Sequence, residues 1–217
     1  MFDQIKKLSL QSVIYGVGHI MTRLVTFLLL PLYTNVFTAE EYGVISLAYA
    51  FIGFTLILFR YGMDTALMKF YITENVKEKH GVFSTIWILQ FFSSIILASI
   101  LIGLSPFLSQ YIIGDSAHSN ILQLISIILA MDVLWNLPML ILRTEERPMA
   151  FVGLNLVNVF TTIAFNIYFV VYAKLGIIGV FYGNIVASTL MLMFSFPIVY
   201  QRLRFKYISK TLLKKIL

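Results

Sequence analysis

The 34 residues between His80 and Asp115 contain no charged side chain, and two similar runs follow, Pro148–Ala173 with 26 residues and Leu175–Gln201 with 27. About 20 apolar residues cross the ~30 Å hydrocarbon core of a bilayer as a helix. A water-soluble domain has no use for several such runs in 217 residues. Hydrophobic residues make up 59% of the chain and charged residues 12%, and mean hydropathy is +0.89. A β-barrel would show short strands with alternating polarity. Here the apolar runs are continuous and rich in Leu, Ile, Phe and Val, which predicts an all-α integral membrane protein.

At this length the chain holds about six spans, expected at 9–36, 43–68, 82–107, 120–142, 149–173 and 177–200, with a tail at 201–217. Met1–Lys7 has the character of a signal-peptide start. The apolar stretch behind it is long and Pro31–Asn35 offers no small-residue cleavage site, so a retained first helix is expected. Thr38 followed by Glu41 forms a capping box ahead of the second span. Thr144–Pro148 separates the fourth from the fifth.

Lysine and arginine set the orientation. With the N-terminus inside, the inner loops collect Lys6, Lys7, Lys69, Lys77, Lys79, Arg143, Arg147, Arg202, Arg204, Lys206, Lys210, Lys214 and Lys215. The outer loops collect Lys174 alone, so both termini are expected in the cytoplasm. This bias accounts for the net charge of +6 and the pI near 9.5 without a nucleic-acid partner. In the tail, Phe205, Ile208, Leu212 and Ile216 recur at helical spacing beside Arg202, Lys206, Lys210 and Lys214. That pattern suits a basic amphipathic helix on anionic membrane lipids, a positively charged stop, or a linker to a second half.

Charges within a span are costly and usually face a bundle interior or a wet cavity. Arg23 lies about 13 residues from either end of the first span, roughly 20 Å, beyond the reach of snorkelling. It sits in a polar stripe of Ser12, Gly16, His19, Arg23 and Thr26, and His19 is a group able to titrate near neutral pH. Arg60 and Asp64 stand one turn apart and are either an i,i+4 pair or part of a ligand site. Asp132, central in the fourth span with Asn136 one turn away, is a partner for Arg23 or a proton carrier. Asn155, Asn158, Thr162 and Asn166 form a row in the fifth span that serves interhelical hydrogen bonding or faces a sugar. Gly179, Gly183 and Ala187 make a small-residue face for close helix packing.

Several chemistries are excluded. With no cysteine there is no disulfide, thiolate zinc site or haem attachment. No phosphate-binding glycine loop, HExxH zinc pair or GxSxG nucleophile occurs. The loops are short, so a membrane-embedded glycosyl or acyl transferase has no candidate acid–base pair. Neither enzymatic activity nor a cofactor or metal is expected.

The stretch Thr22-Arg23-Leu24-Val25-Thr26-Phe27-Leu28-Leu29-Leu30-Pro31-Leu32-Tyr33-Thr34-Asn35-Val36-Phe37-Thr38-Ala39-Glu40-Glu41-Tyr42-Gly43 resembles the first-helix segment of polysaccharide (O-antigen type) lipid-linked oligosaccharide flippases. Arg60–Leu67 and Leu175–Val180 are similar to the end of their second helix and the turn entering their sixth. These flippases belong with multidrug exporters in one superfamily, and the resemblance implies a six-helix bundle that is one lobe of a two-lobe exporter. It further implies a multi-pass protein of the bacterial cytoplasmic (inner) membrane that flips an undecaprenyl-diphosphate-linked oligosaccharide. Arg23 and Arg60 would then face the diphosphate, with Asn155, Asn158 and Asn166 on the sugar and His19, Asp64 and Asp132 in charge pairing or coupling. Family members are about twice this length, so a second lobe, supplied by homodimerisation or by a separate chain, is the expected partner. The competing expectations are a non-transporting scaffold of a polysaccharide assembly complex and a lobe of a related multidrug exporter.

Overall fold

The computed structural model describes residues 16, 20, 25, 27–73 and 76–207. Its helices are α1 (Phe27–Val36), α2 (Ala39–Arg60), α3 (Met63–Thr73), α4 (Val76–Ile112), α5 (Ser119–Thr144), α6 (Pro148–Ile167) and α7 (Ile177–Arg202). Five stretches are long and apolar enough to cross a membrane: Ala39–Arg60, Glu78–Ile112, Ser116–Thr144, Pro148–Tyr172 and Ile177–Arg202. The protein is a multi-pass membrane protein. His19 and Arg23, the amino-terminal lysines and the tail beyond Tyr207 lie outside the described residues.

The bundle is apolar on its outside and keeps its buried polar side chains within an otherwise apolar interior, where protein partners can satisfy them. Phe54, Ile57, Phe160 and Phe196 point outward, while Ser84, Gln90, Ser94, Ser126, Asn155 and Asn166 are buried. α5 is the axle. Over half of its most apolar stretch, 56%, is buried, against 22% for the corresponding stretches of α2, α4 and α6. Ile121, Leu122, Ile125, Ile128 and Leu129 of α5 anchor the main core with Ile45 and Ala48 of α2 and Phe181 of α7.

Local signals set the helix ends. Thr38 caps α2 through the Glu41 N–H, and the Glu41 carboxylate accepts from the Thr38 N–H at 2.9 Å, the reciprocal pair expected of this motif. Pro148 opens α6 at a position where its missing N–H costs nothing. Beyond Ile167 the α6 coil widens into a π-helical turn over Tyr168–Tyr172, closed by Ala173 N–H to Tyr168 C=O at 2.8 Å.

Two expected spans differ from the structure. The segment 43–68 is not one helix, because Tyr61 and Gly62 take positive φ values of 28° and 84° and split it into α2 and α3. Gln90 of α4 covers the break by donating to Phe59 C=O at 2.7 Å, and Arg60 and Asp64 bridge it at 3.3 Å. The segment expected at 82–107 is the middle of a 37-residue α4 whose ends run on through polar residues. Of the tail, the described part ends α7 in an extended Leu203 and then makes a single 3-10 turn at Phe205–Tyr207.

At the end of the bundle that carries most of the loop lysines and arginines, Arg202 of α7 grips Glu145 through Nε at 3.1 Å and through Nη2. Tyr71 of α3 donates to the same carboxylate at 2.6 Å, and the Arg202 carbonyl meets His80 Nδ1 of α4 at 3.0 Å. Burial alone would raise the Glu145 carboxyl. The hydrogen bonds from Arg202 and Tyr71 outweigh burial and hold it below its ordinary value of 4.5.

Two predictions follow from this packing. A Cβ on Gly183 would sit 2.8 Å from the Asn166 amide nitrogen and 3.0 Å from its backbone nitrogen, whereas one on Gly43 meets nothing within 4 Å. Gly183→Ala is expected to cost about 1–3 kcal/mol and to lower the melting temperature in detergent, with Gly43→Ala neutral or slightly stabilising. A carboxyl depressed on folding stabilises fully above its unfolded value and progressively less as pH falls through its folded one. Acidification from about pH 4.5 downward should therefore destabilise the wild type by more than it does Glu145→Gln, read as melting temperature against pH.

Candidate functional site

Halfway along α5 the helices separate around a cavity of about 590 Å³. Five of the helices contribute residues, at helical spacing. α2 supplies Tyr42, Ser46 and Tyr49, α5 supplies Ile128, Asp132 and Trp135, α6 supplies Asn158 and Thr162, and α7 supplies Asn184 and Ser188. Leu29, Leu30 and Tyr33 of α1 close another side, with Val25 just before them. Tyr49 is 38% exposed, so the cavity opens at the bundle surface.

Asp132 is the acidic residue among the described residues of this wall. Its Oδ1 accepts from Ser188 Oγ at 2.6 Å and from Trp135 Nε1 at 2.9 Å. Among the described lining residues there is no lysine or arginine. Across the cavity Asn184 donates to Tyr49 Oη at 2.9 Å. The other polar lining groups are phenols, hydroxyls and amides, which both donate and accept, set in a largely aliphatic wall of Val25, Leu29, Leu30, Ile45, Ile52 and Ile128. Such a wall suits an amphipathic ligand, with apolar surface against the aliphatic side and hydroxyls or water against the polar groups.

The candidate residues named from the sequence are distributed unevenly. Asp132 and Asn158 line the cavity. Asn155 is buried and donates to Phe151 C=O of its own helix at 3.0 Å. Asn166 is fully buried, accepts from Tyr33 Oη at 2.7 Å and donates to Thr162 C=O at 2.8 Å, so it ties α1 to α6 against Gly183. Of the amide row, therefore, Asn158 with Thr162 faces the cavity, and Asn155 and Asn166 serve helix packing. Arg60 is held by Asp64, which also accepts from Asn136 Nδ2 at 3.2 Å, and this network stands at the α2–α3 break rather than in the cavity wall. His19 and Arg23 lie outside the described residues.

Tyr33, Tyr42, Tyr49, Trp135, Asn184 and Ser188 were not singled out from the sequence. The signal for some of them was present. Tyr42, Ser46 and Tyr49 follow an i, i+4, i+7 pattern, and Asn184 and Ser188 each stand beside a small residue of the α7 packing face. Tyrosines in an apolar run, however, read as membrane-facing aromatics.

A profile described as polysaccharide biosynthesis protein matches residues 32–217. No curated protein sequence matches the chain. Two solved structures share the fold. A multidrug resistance MATE family transporter of the MOP superfamily, in an outward-facing conformation, superposes with a TM-score of 0.73 at 16% identity. It is matched over 98% of this chain and 50% of that one. The crystal structure of a MATE mutant gives a TM-score of 0.70 at 15% identity, over 98% of this chain and 51% of that one. The chain thus spans about half the length of the solved structures it matches and has the architecture of one lobe of an exporter.

The cavity predicts a labelling pattern that needs no knowledge of the ligand. The chain has no cysteine, so single cysteines report without background. Asn158→Cys and Thr162→Cys should react readily with a small hydrophilic thiol reagent in intact membranes, and Asn155→Cys should stay unreactive. Equal labelling of all three would show that no aqueous cavity selects among the faces of α6.

Proposed function

We propose that this chain, which belongs to the polysaccharide biosynthesis protein family, is one lobe of an exporter that flips an undecaprenyl-diphosphate-linked oligosaccharide across the bacterial cytoplasmic membrane. The observation that carries this reading is the cavity halfway through the bundle, where tyrosine, asparagine, threonine and serine side chains stand in an otherwise aliphatic wall, as an amphipathic lipid-linked sugar requires. Amides and hydroxyls suit sugar hydroxyls, and a mid-membrane position suits a site exposed alternately to the two sides. The family match and the half-exporter fold agree with it. In this reading the basic end faces the cytoplasm. Arg23 attracts the diphosphate, since a guanidinium in a desolvated site makes strong paired contacts with phosphate oxygens, and Arg60, outside the cavity wall, does so only on release from Asp64. Asp132, a carboxylate within the span, is the group suited to coupling by proton or cation. A second lobe, from another copy or another chain, supplies the surface against which this one rocks.

A second reading has one specific observation in its favour. Among the described residues the charge in the cavity wall is an acid, Asp132, which suits an exporter of amphipathic cations better than a diphosphate site.

One experiment separates them. A strain lacking its lipid-linked oligosaccharide flippase is given this chain alone, with a candidate second lobe, and with that lobe as Arg23→Ala or Asp132→Asn. The flippase reading expects surface polysaccharide to return only with the second lobe and to fall at least about tenfold in Arg23→Ala, the loss of one strong charge-assisted contact. Resistance to lipophilic cations that needs Asp132 but not Arg23, without restored polysaccharide, would replace it with the second reading. Polysaccharide restored equally by wild type and Arg23→Ala would instead mark a scaffold.

A further inference from the structure

The cavity wall is held by a contact between α5 and α7, and the same two helices meet again at the basic end. Asp132 accepts from Ser188 in the cavity, Met131 Sδ and Thr189 Oγ1 meet beside it at 3.6 Å, and Glu145 binds Arg202. These contacts join residues 56, 58 and 57 positions apart. From the cavity to the basic end both partners rise, from Asp132 with Ser188 to Glu145 with Arg202, so α5 and α7 run parallel. Thirteen residues separate Asp132 from Glu145, about 20 Å along the helix at 1.5 Å per residue.

Between these polar rungs the packing is apolar. Leu137, Ile141 and Val199 share one cluster, and Met139, Leu142 and Met191 another. Apolar burial is non-directional and its close packing resists large slips, so the fine register falls to the directional rungs. They are unequal. The upper rung in the cavity is one hydroxyl bond from Ser188. The lower rung is a two-pronged guanidinium–carboxylate contact, with Tyr71 on the same carboxylate and the Arg202 carbonyl fixed to α4 through His80 and Ser84. Paired charge-assisted bonds of this kind are the strong, geometrically specific ones.

We infer that Glu145 and Arg202 are positioning residues for the cavity: their ion pair sets the α5–α7 register that keeps Ser188 on Asp132. The register rests on geometry alone. Its importance for transport rests on the cavity being the working site.

The test uses the full chain in native membranes, where no cysteine competes. Met131→Cys with Thr189→Cys reports the register beside Asp132 through the yield of a short thiol cross-linker. Ser105→Cys with Gln123→Cys, whose parent side chains meet at 3.2 Å between α4 and α5, reports general integrity. In Glu145→Gln the first yield should fall roughly fivefold, the effect of losing one charge-assisted contact, with the second unchanged. The charge swap Glu145→Arg with Arg202→Glu should recover part of it. Once a transport assay exists, its pH profile should shift in Glu145→Gln and move back in the swap. An unchanged first yield would overturn the inference. So would a parallel drop in both yields, which would make the pair a general stabiliser of the fold. A shifted register with an unaltered pH profile would uphold the positioning and count against the cavity as the working site.

Discussion

A hydrocarbon solvent offers no hydrogen bonds, so every polar group that enters it must find its partner within the protein. Most of what is distinctive in this bundle answers that demand. Where α2 stops at Tyr61 and Gly62, Phe59 loses the helical partner of its carbonyl and Gln90 reaches over from α4 to replace it. Where Asn166 would be stranded in the packing of α6 on α7, Tyr33 and the Thr162 carbonyl take up its amide. Serines along α4 and α5 turn back onto their own helices, as Ser94, Ser105 and Ser126 do. Each such bond contributes little net stability. Leaving the group unpaired is what the bilayer penalises.

The same demand shapes the candidate site. The polar groups of a cavity in a membrane bundle must be solvated by water or ligand, and here they are phenols, hydroxyls and amides that accept and donate alike, set among aliphatic side chains. α5 presents Asp132 from the most buried helix of the bundle, which gives the carboxylate a rigid footing. α1, α2 and α6 supply the adaptable part of the wall. The fold shared with half of each matched structure thus places Asp132 on the helix that the others pack around.

Features that depend on composition and local spacing were legible in the sequence. Charge-free runs announced the membrane helices, Thr38 and Glu41 announced a cap, Arg60 and Asp64 announced an i,i+4 pair, and Gly183 announced close packing. Features that depend on where a side chain points were not. Hydropathy averages over a window and cannot register the left-handed turn at Tyr61 and Gly62. It also sees only the apolar middle of α4, which begins in charged residues and ends in polar ones. Asn155, Asn158 and Asn166 share a row, yet small rotations about the α6 axis send one to the cavity and two into packing. Arg202, counted among loop charges, is 9% exposed, because its value lies in a carboxylate 57 residues away that no local pattern connects to it.

The wide turn at Tyr168–Tyr172 amounts to one residue spliced into α6. Each residue of an α-helix advances the azimuth by about 100°, so a plain insertion would have rotated everything on one side of it and swung the polar row off the cavity. A π-helical turn absorbs the extra residue as local bulk. The segment from Pro148 to Ile167 keeps its phase against α7, while Tyr168 and Tyr172 are free to face outward at the far rim. The wide turn thus lies beyond the stretch that carries Asn158, and whatever aim that side chain has is set before the chain reaches it.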